Sequence, residues 1–116
     1  MRELRIFDPI MKRSDLPLKG IKVIDASTVL AGPSVGMYFA ELGAEVIKVE
    51  HPKHSDVTRS WKLPTEPREA SVSAYFASIN YGKEYLTLDL KDQKDRSQFS
   101  DLLSNADILL MNFKRS

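Results

Sequence analysis

The fold is decided by residues 21–50, which read IKVIDASTVLAGPSVGMYFAELGAEVIKVE. The β-branched runs at its two ends, 21–25 and 44–50, are typical of short buried strands. Between them, Pro33 and Ser34 suit the first turn of a helix, apolar residues follow at helical spacing, and Gly43 is placed to end the helix. The stretch therefore predicts a strand, a helix and a second strand parallel to the first.

The chain after this stretch continues the alternation of strands and helices. Residues 73–81 predict a short helix, and 85–90 predict a strand near a sheet edge, because apolar and polar residues alternate there. Asp92 is a candidate N-cap for a helix over 92–104, and 106–111 predict a final buried strand. We therefore expect an α/β domain with three layers around a mainly parallel sheet.

A long polar segment, residues 51–74, interrupts this alternation. Loops of such length inside a compact domain are usually functional or disordered. Arg59 and Trp61 are candidates for anchoring the segment. His51 and His54 have neither a cysteine nor a suitably spaced carboxylate beside them, so we expect no metal site there.

Length and composition indicate an ordinary globular protein. The 116 residues suffice for one domain, which we place at 18–116, after an amino-terminal arm at 1–17. Because 17 basic residues nearly balance 16 acidic ones, we expect neither a nucleic-acid binder nor a membrane-surface binder. No apolar run is long enough to span a bilayer. The absence of cysteine excludes disulfides and thiol nucleophiles, and it fits a cytoplasmic location.

Ligands of parallel α/β sheets bind beyond the carboxyl ends of the strands. Three chemically suggestive segments are predicted to lie there, at 29–34, 51–59 and 112–115. In the first of them, Gly32 could serve an ordinary turn, or it could let the backbone approach a ligand closely. The sequence pattern alone leaves both interpretations open.

Several short blocks occur in a fixed order along the chain. They read LKGIKVID at 18–25, VLAGP at 29–33, LGAEVIKVE at 42–50, SDVTR at 55–59, LDLK at 88–91 and NF at 112–113. This ordered set resembles the class III CoA-transferases, which include formyl-CoA transferase, carnitine CoA-transferase and bile-acid-inducible protein F-like proteins, with the methylacyl-CoA racemases as relatives. The resemblance covers roughly residues 16 to 116.

The resemblance implies a Rossmann-like domain that binds coenzyme A as a substrate and not as a permanently bound cofactor. The activity that it implies is transfer of CoA between an acyl-CoA thioester and a carboxylic acid. The positions that match CoA-contacting positions of the family are Leu30, Ala31, His51, Leu88, Asp89, Leu90, Lys91, Asn112, Phe113 and Lys114. These residue types fit the ligand, because lysines can offer charge to the ADP phosphates and a phenylalanine can lie against an apolar part of it.

Some positions depart from the family pattern. Leu30 stands where formyl-CoA transferase has glutamine, His51 where that enzyme has arginine, and Met111 where glutamate is common. The transferase nucleophile is an aspartate further downstream, and Asp25 and Asp89 are expected to cap turns at strand ends. Asp56 and Asp107 do not match the catalytic position either. We therefore expect no catalytic residue in this segment and no activity from it alone.

Two alternatives remain open from the sequence. The chain could be a stand-alone or degenerate module that binds CoA or another nucleotide without catalysis. It could also be a fragment of an enzyme of the 2-methylacyl-CoA racemase type. Because family members form intertwined dimers, the resemblance further implies a homodimer, or association with the remainder of the enzyme.

Overall fold

A computed structural model describes residues 15–114 of the chain. Most of the predicted arm at 1–17 therefore lies outside the described residues, and so do Arg115 and Ser116. The elements in chain order are β1 (Lys22–Asp25), α1 (Ala31–Glu41), β2 (Glu45–Glu50), a 3-10 helix (Val57–Ser60), α2 (Ala74–Asn80), β3 (Glu84–Thr87), α3 (Gln93–Ser104) and β4 (Ile108–Leu110).

The four strands form one parallel sheet in the order β3-β2-β1-β4. In the central pair Val23 lies opposite Val46, and on the other side of β1, Ile24 lies opposite Leu109. The chain therefore moves outward in one direction from β1 to β3 and then returns to the other side of β1. Such a reversal of strand order marks the place where α/β sheets open a ligand crevice.

Helices cover both faces of the sheet. Val23 and Val46 belong to the cluster against which Phe39 of α1 packs. Ile24 belongs to the cluster on the opposite face, where Phe99 of α3 packs. Neighbouring residues of β1 thus point to opposite faces, as the pleat requires. The prediction of a three-layer, Rossmann-like α/β fold is confirmed.

The two outer strands differ from each other in how well they were predicted. β3 lies at a sheet edge, as its alternating pattern indicated, although it ends at Thr87 and not at residue 90. A strand is present within 106–111, as predicted, but the prediction that it is buried is wrong. β4 covers only Ile108–Leu110, lies at the other edge of the described sheet, and leaves Leu109 39% exposed. Apolar runs of this kind do not distinguish a central strand from an edge strand.

The predicted helices are present with small shifts at their ends. Helix α1 begins at Ala31, two residues before Pro33, and Gly43 follows it with a φ of +101°. Asp92 caps α3 by accepting hydrogen bonds from the backbone N–H groups of Lys94 and Asp95. Among the described residues, no helix is both long and apolar enough to cross a membrane.

The segment 51–74 is held by specific contacts. Lys62 donates to the backbone carbonyls of Pro67, Arg68 and Ala70. Trp61 lies edge-on to Tyr75, with the ring centroids 5.2 Å apart. The predicted anchoring by Trp61 is therefore a packing contact with α2.

Candidate functional site

A cleft of about 270 Å³ opens at the carboxyl ends of the strands. Its wall contains residues that follow all four strands, and several of these positions were predicted from the sequence. The predicted residues that line it are His51, Leu88, Asp89, Leu90, Lys91 and Phe113, and they are joined by Ala26, Thr28, Val49, Glu50, His54 and Asp56. The apolar members form a surface suited to a flat or aliphatic ligand group, and Lys91 adds positive charge.

His51 is oriented by contacts on both ring nitrogens. Its Nδ1 accepts the backbone N–H groups of Lys53 and His54, at 3.0 and 3.1 Å. The Nε2 therefore carries the ring proton in the neutral form, and it lies 3.5 Å from Asp89 Oδ1. The ring of His54, predicted as an ordinary loop residue, lies 4.8 Å from that of His51 and shares the cleft wall.

Asp89 contacts both its own loop after β3 and the ring of His51 after β2. Its carboxylate accepts the backbone N–H of Lys91 at 2.9 Å, so it caps a turn as predicted. That hydrogen bond is the main cause that lowers the pKa of Asp89, and the neighbouring His51 adds to it. The carboxylate is therefore held in its charged form opposite the His51 ring.

Asn112 links the segment after β4 to the loop after β1. Its amide nitrogen donates to the carbonyl of Thr28 at 2.8 Å, and its amide oxygen accepts the N–H of the same residue at 3.0 Å. This reciprocal pair occupies both ends of the Asn112 amide. The contact that the structure gives Asn112 is thus with the loop after β1, and Phe113 beside it is left 61% exposed at the cleft.

Leu30, Ala31 and Lys114 do not line the cleft itself. Leu30 is the N-cap residue of α1 and is 49% exposed, and no side chain caps this helix. Ala31 is the first residue of α1, and Lys114 lies on the surface after Phe113. An uncapped helix start leaves N–H groups that can hydrogen-bond an anion.

Gly32 is required by the fold. A methyl group in its place would collide with the Cβ and Oγ atoms of Ser27. Ser27 is fully buried, and its Oγ donates to the carboxylate of Asp25 at the end of β1. The close approach that Gly32 permits in this structure is therefore to Ser27, which favours the structural interpretation of this glycine.

Two buried ion pairs that include cleft-wall carboxylates were not predicted from the sequence. Lys48 lies 3.3 Å from Asp56, and both side chains are almost fully buried. Arg59 lies 2.7 Å from Glu50 and stacks on Phe76, with its guanidinium 3.9 Å from the ring centroid. The predicted anchoring role of Arg59 is therefore confirmed, and its partner is a buried carboxylate and not solvent.

A signal for these pairs was present in the sequence. Lys48 and Glu50 stand inside a run that reads as a buried strand. Charged residues are almost never fully buried unless they are paired, so each of them implied a partner elsewhere. The sequence pattern did not show which residue that partner would be. In residues 15–114, no group of three His, Cys, Asp or Glu side chains is placed to hold a metal ion.

Comparison with known proteins agrees with the resemblance carried by the ordered blocks. A family model described as CoA-transferase family III matches residues 18–116. The succinate–glutarate CoA-transferase of Agrobacterium fabrum is 41% identical over 102 residues, which cover 85% of this chain and 26% of that protein. The acetyl-CoA:oxalate CoA-transferase of Acetobacter aceti is 41% identical over 98 residues, which cover 84% of this chain and 24% of that protein.

Solved structures show the same relationship. A CAIB/BAIF family protein from Brucella suis superposes with a TM-score of 0.74 at 39% identity. The match covers 84% of this chain and 26% of that chain. The chain therefore spans about a quarter of the length of the relatives that it matches.

Proposed function

The chain belongs to CoA-transferase family III, and from this premise we propose that residues 18–116 form the CoA-binding part of an enzyme that moves CoA between an acyl-CoA thioester and a carboxylic acid. The observation that carries this proposal is the cleft at the carboxyl ends of β1 to β4, because His51, Asp89, Lys91 and Phe113 meet there.

The cleft has complementary surfaces for different parts of CoA. Val49, Leu88 and Leu90 supply apolar wall for the adenine ring or the pantetheine arm. Lys91 and Lys114 supply positive charge for the phosphates of the ADP portion. The uncapped start of α1 supplies N–H groups for a further polar contact. In this proposal CoA is a substrate that enters and leaves.

The carboxylates of the cleft wall and of the end of β1 have structural partners. Asp89 accepts the backbone N–H of Lys91 at 2.9 Å and lies 3.5 Å from His51. Asp25 is paired with Lys83 and Asp56 with Lys48, both pairs being buried, and Glu50 is buried against Arg59. A nucleophile that forms an anhydride must instead present a carboxylate to the thioester. We therefore propose that the acyl group is taken by a residue outside 18–116, and that this segment holds the carrier.

The acid substrate is proposed from the relatives. The names of two similar enzymes contain the dicarboxylic acids succinate, glutarate and oxalate. We therefore propose that the complete enzyme uses a short dicarboxylic acid as donor or acceptor. The proposed partners are an acyl-CoA, such an acid, and a second polypeptide that supplies the rest of the site, either as a homodimer or as the remainder of the enzyme. We place this enzyme in the cytoplasm.

Isothermal titration of the purified chain with CoA tests the binding proposal. The unaltered chain should bind CoA, and Lys91→Ala should weaken the affinity by about tenfold, because a charged hydrogen bond to phosphate is lost. The matched control is Lys94→Ala, which removes the same charge from the first turn of α3, outside the cleft wall. Equal weakening by both variants would indicate a general charge effect, and no binding by the unaltered chain would refute the proposal.

A turnover assay separates the enzyme fragment from a binding module. The chain is mixed with succinyl-CoA and glutarate, and glutaryl-CoA is followed by chromatography. Binding without product is expected from residues that lack the nucleophile. Product formation by the chain alone would show that an acyl-accepting residue lies within it.

A further inference from the structure

Val29 has a backbone conformation that its side chain does not favour. Its φ is +73°, and it is the one non-glycine residue with a positive φ in the part of the chain that the structure describes. A β-branched residue in this left-handed region is a genuine outlier. Such conformations persist only where the surrounding structure imposes them, and they cluster at functional sites.

The backbone N–H of Val29 faces the carboxylate of Asp56. Both Asp56 oxygens face the backbone N–H of Val29, which donates to them at 3.1 and 3.3 Å. The carboxylate is itself held by Lys48 at 3.3 Å, and the Lys48 ammonium also donates to the carbonyl of Ser27 at 2.9 Å. Lys48 therefore binds the loop after β1 twice, once directly and once through Asp56.

The Asp56 carboxylate is fixed from its other side as well. Thr58 donates to it through both its backbone N–H and its hydroxyl, at 3.0 and 2.8 Å. The backbone N–H of Asp56 donates to Glu50 at 2.7 Å. Since the side chains of Asp56 and Lys48 are 0% and 2% exposed, water does not compete strongly for these bonds.

The strained residue stands directly before the start of α1. Leu30 is the N-cap residue of that helix, and its side chain makes no capping hydrogen bond. The torsion at Val29 therefore sets the direction in which the chain enters the helix, and with it the direction of the Ala31 and Gly32 backbone. The proposed function assigns the N–H groups at this helix start to CoA.

We propose that Asp56 is a positioning residue, which holds Val29 in its left-handed conformation and thereby aims the start of α1 at CoA. This inference rests on the proposed CoA-binding function. Asp56 acts through Val29 and is not itself assigned a contact with the ligand.

A purely structural role for Asp56 makes a different prediction. A buried ion pair with Lys48 would stabilise the fold whatever conformation Val29 adopts. A positioning role implies something else. If position 29 holds a residue that adopts a positive φ unaided, CoA binding should depend less on Asp56. Glycine at position 29 is that residue, because it enters the left-handed region without a steric penalty.

The test measures the dissociation constant for CoA by titration of the whole chain and three variants. Asp56→Ala removes both acceptor oxygens and should raise it at least tenfold, and the addition of Val29→Gly should return it to within about threefold of the unaltered chain. Thr58→Val is the control, since it removes one hydroxyl bond to the same carboxylate and keeps both Asp56 oxygens on Val29. This control should change the constant less than twofold.

The outcomes separate the two proposals. If the unaltered chain binds CoA and Asp56→Ala binds it equally well, the positioning role is wrong and the CoA site stands. Loss of affinity in Asp56→Ala without rescue by Val29→Gly would also overturn it, in favour of the structural role. If the unaltered chain does not bind CoA, both proposals fail.

A second measurement applies if Asp56→Ala does not fold. Amide hydrogen exchange of the unaltered chain reports directly on the Val29 N–H, which should exchange at least a hundredfold more slowly than in an unfolded peptide. Exchange at the unfolded rate would show that Asp56 does not hold Val29.

Discussion

The ammonium of Lys83 lies 2.7 Å from the carboxylate of Asp25, which stands 58 positions earlier in the chain. Lys83 also donates to the carbonyl of Pro33 at 2.7 Å and to the side-chain oxygen of Asn80 at 2.8 Å. One buried ammonium thus joins the end of β1, the first turn of α1 and the last turn of α2. Burial lowers the pKa of Lys83, and the hydrogen bond with Asp25 opposes that shift.

Lys83→Met should destabilise the fold strongly. The substitution leaves the Asp25 carboxylate buried without its cation, and breaking a buried pair in this way costs about 3–5 kcal/mol. Urea unfolding followed by circular dichroism measures the change in the free energy of unfolding. Lys94→Met is the control, since it replaces an exposed lysine and should change that free energy by less than about 0.5 kcal/mol. A similar small effect of Lys83→Met would mean that the pair contributes little.

Gly32→Ala should also destabilise the fold, by about 1–3 kcal/mol, because the added methyl group overlaps the side chain of Ser27. The second substitution Ser27→Gly removes the overlapping atoms and should recover part of the loss. Urea unfolding of the two single variants and the double variant gives the coupling free energy. If the free-energy change of the double variant equals the sum of the two single changes, the added methyl group does not overlap Ser27.

The stability of the fold should fall in acid partly through Asp56. Burial alone would raise the pKa of Asp56, but the hydrogen bonds from Thr58, the charge of Lys48 and the N–H of Val29 together lower it below 3.8. Above pH 3.8 the Asp56 carboxylate is charged in both the folded and the unfolded chain, so its contribution to the free energy of unfolding is complete. As the pH falls below 3.8, Asp56 becomes protonated in the unfolded chain while it stays charged in the folded chain. The contribution of Asp56 to the free energy of unfolding is therefore lost progressively.

Urea unfolding at about pH 5 and at about pH 3 measures this loss. The unaltered chain should lose more free energy of unfolding between the two pH values than Asp56→Asn does, because asparagine does not titrate. Equal losses would show that the pKa of Asp56 is the same in the folded and unfolded states.

The sequence predicted the layers of this fold better than its charged interior. The patterns at 21–50 predicted β1, α1 and β2, because β-branched runs and helical spacing report burial on a scale of a few residues. The partners of Lys48 and Lys83 were not predicted, because they lie far along the chain or in a loop whose path no local pattern sets. The φ of Val29 had no local signal, and the carboxylate that its N–H contacts stands 27 positions later.

The candidate site was likewise predicted only in part. The family blocks located the residues around His51, Leu88 and Phe113, and the structure brings these into one cleft. Asn112 was predicted to contact ligand, whereas the contact seen in the structure is with the backbone of Thr28. An amide has the same hydrogen-bonding groups for both partners, so the residue type does not distinguish them.

The β4 edge should mediate association of the chain in solution. β4 pairs with β1 on one side, and beside it Leu109 is 39% and Met111 61% exposed. Exposed apolar edge strands pair readily with other chains, and a single lysine on such an edge opposes that pairing. Sedimentation velocity over a range of concentrations should therefore show self-association of the unaltered chain, and Met111→Lys should shift it toward the monomer.

Tyr38→Lys is the control, since it places the same charge on an exposed position of α1, away from β4. A compact monomer at every concentration would contradict association, and an equal shift with both variants would show that charge alone, and not the β4 edge, controls it.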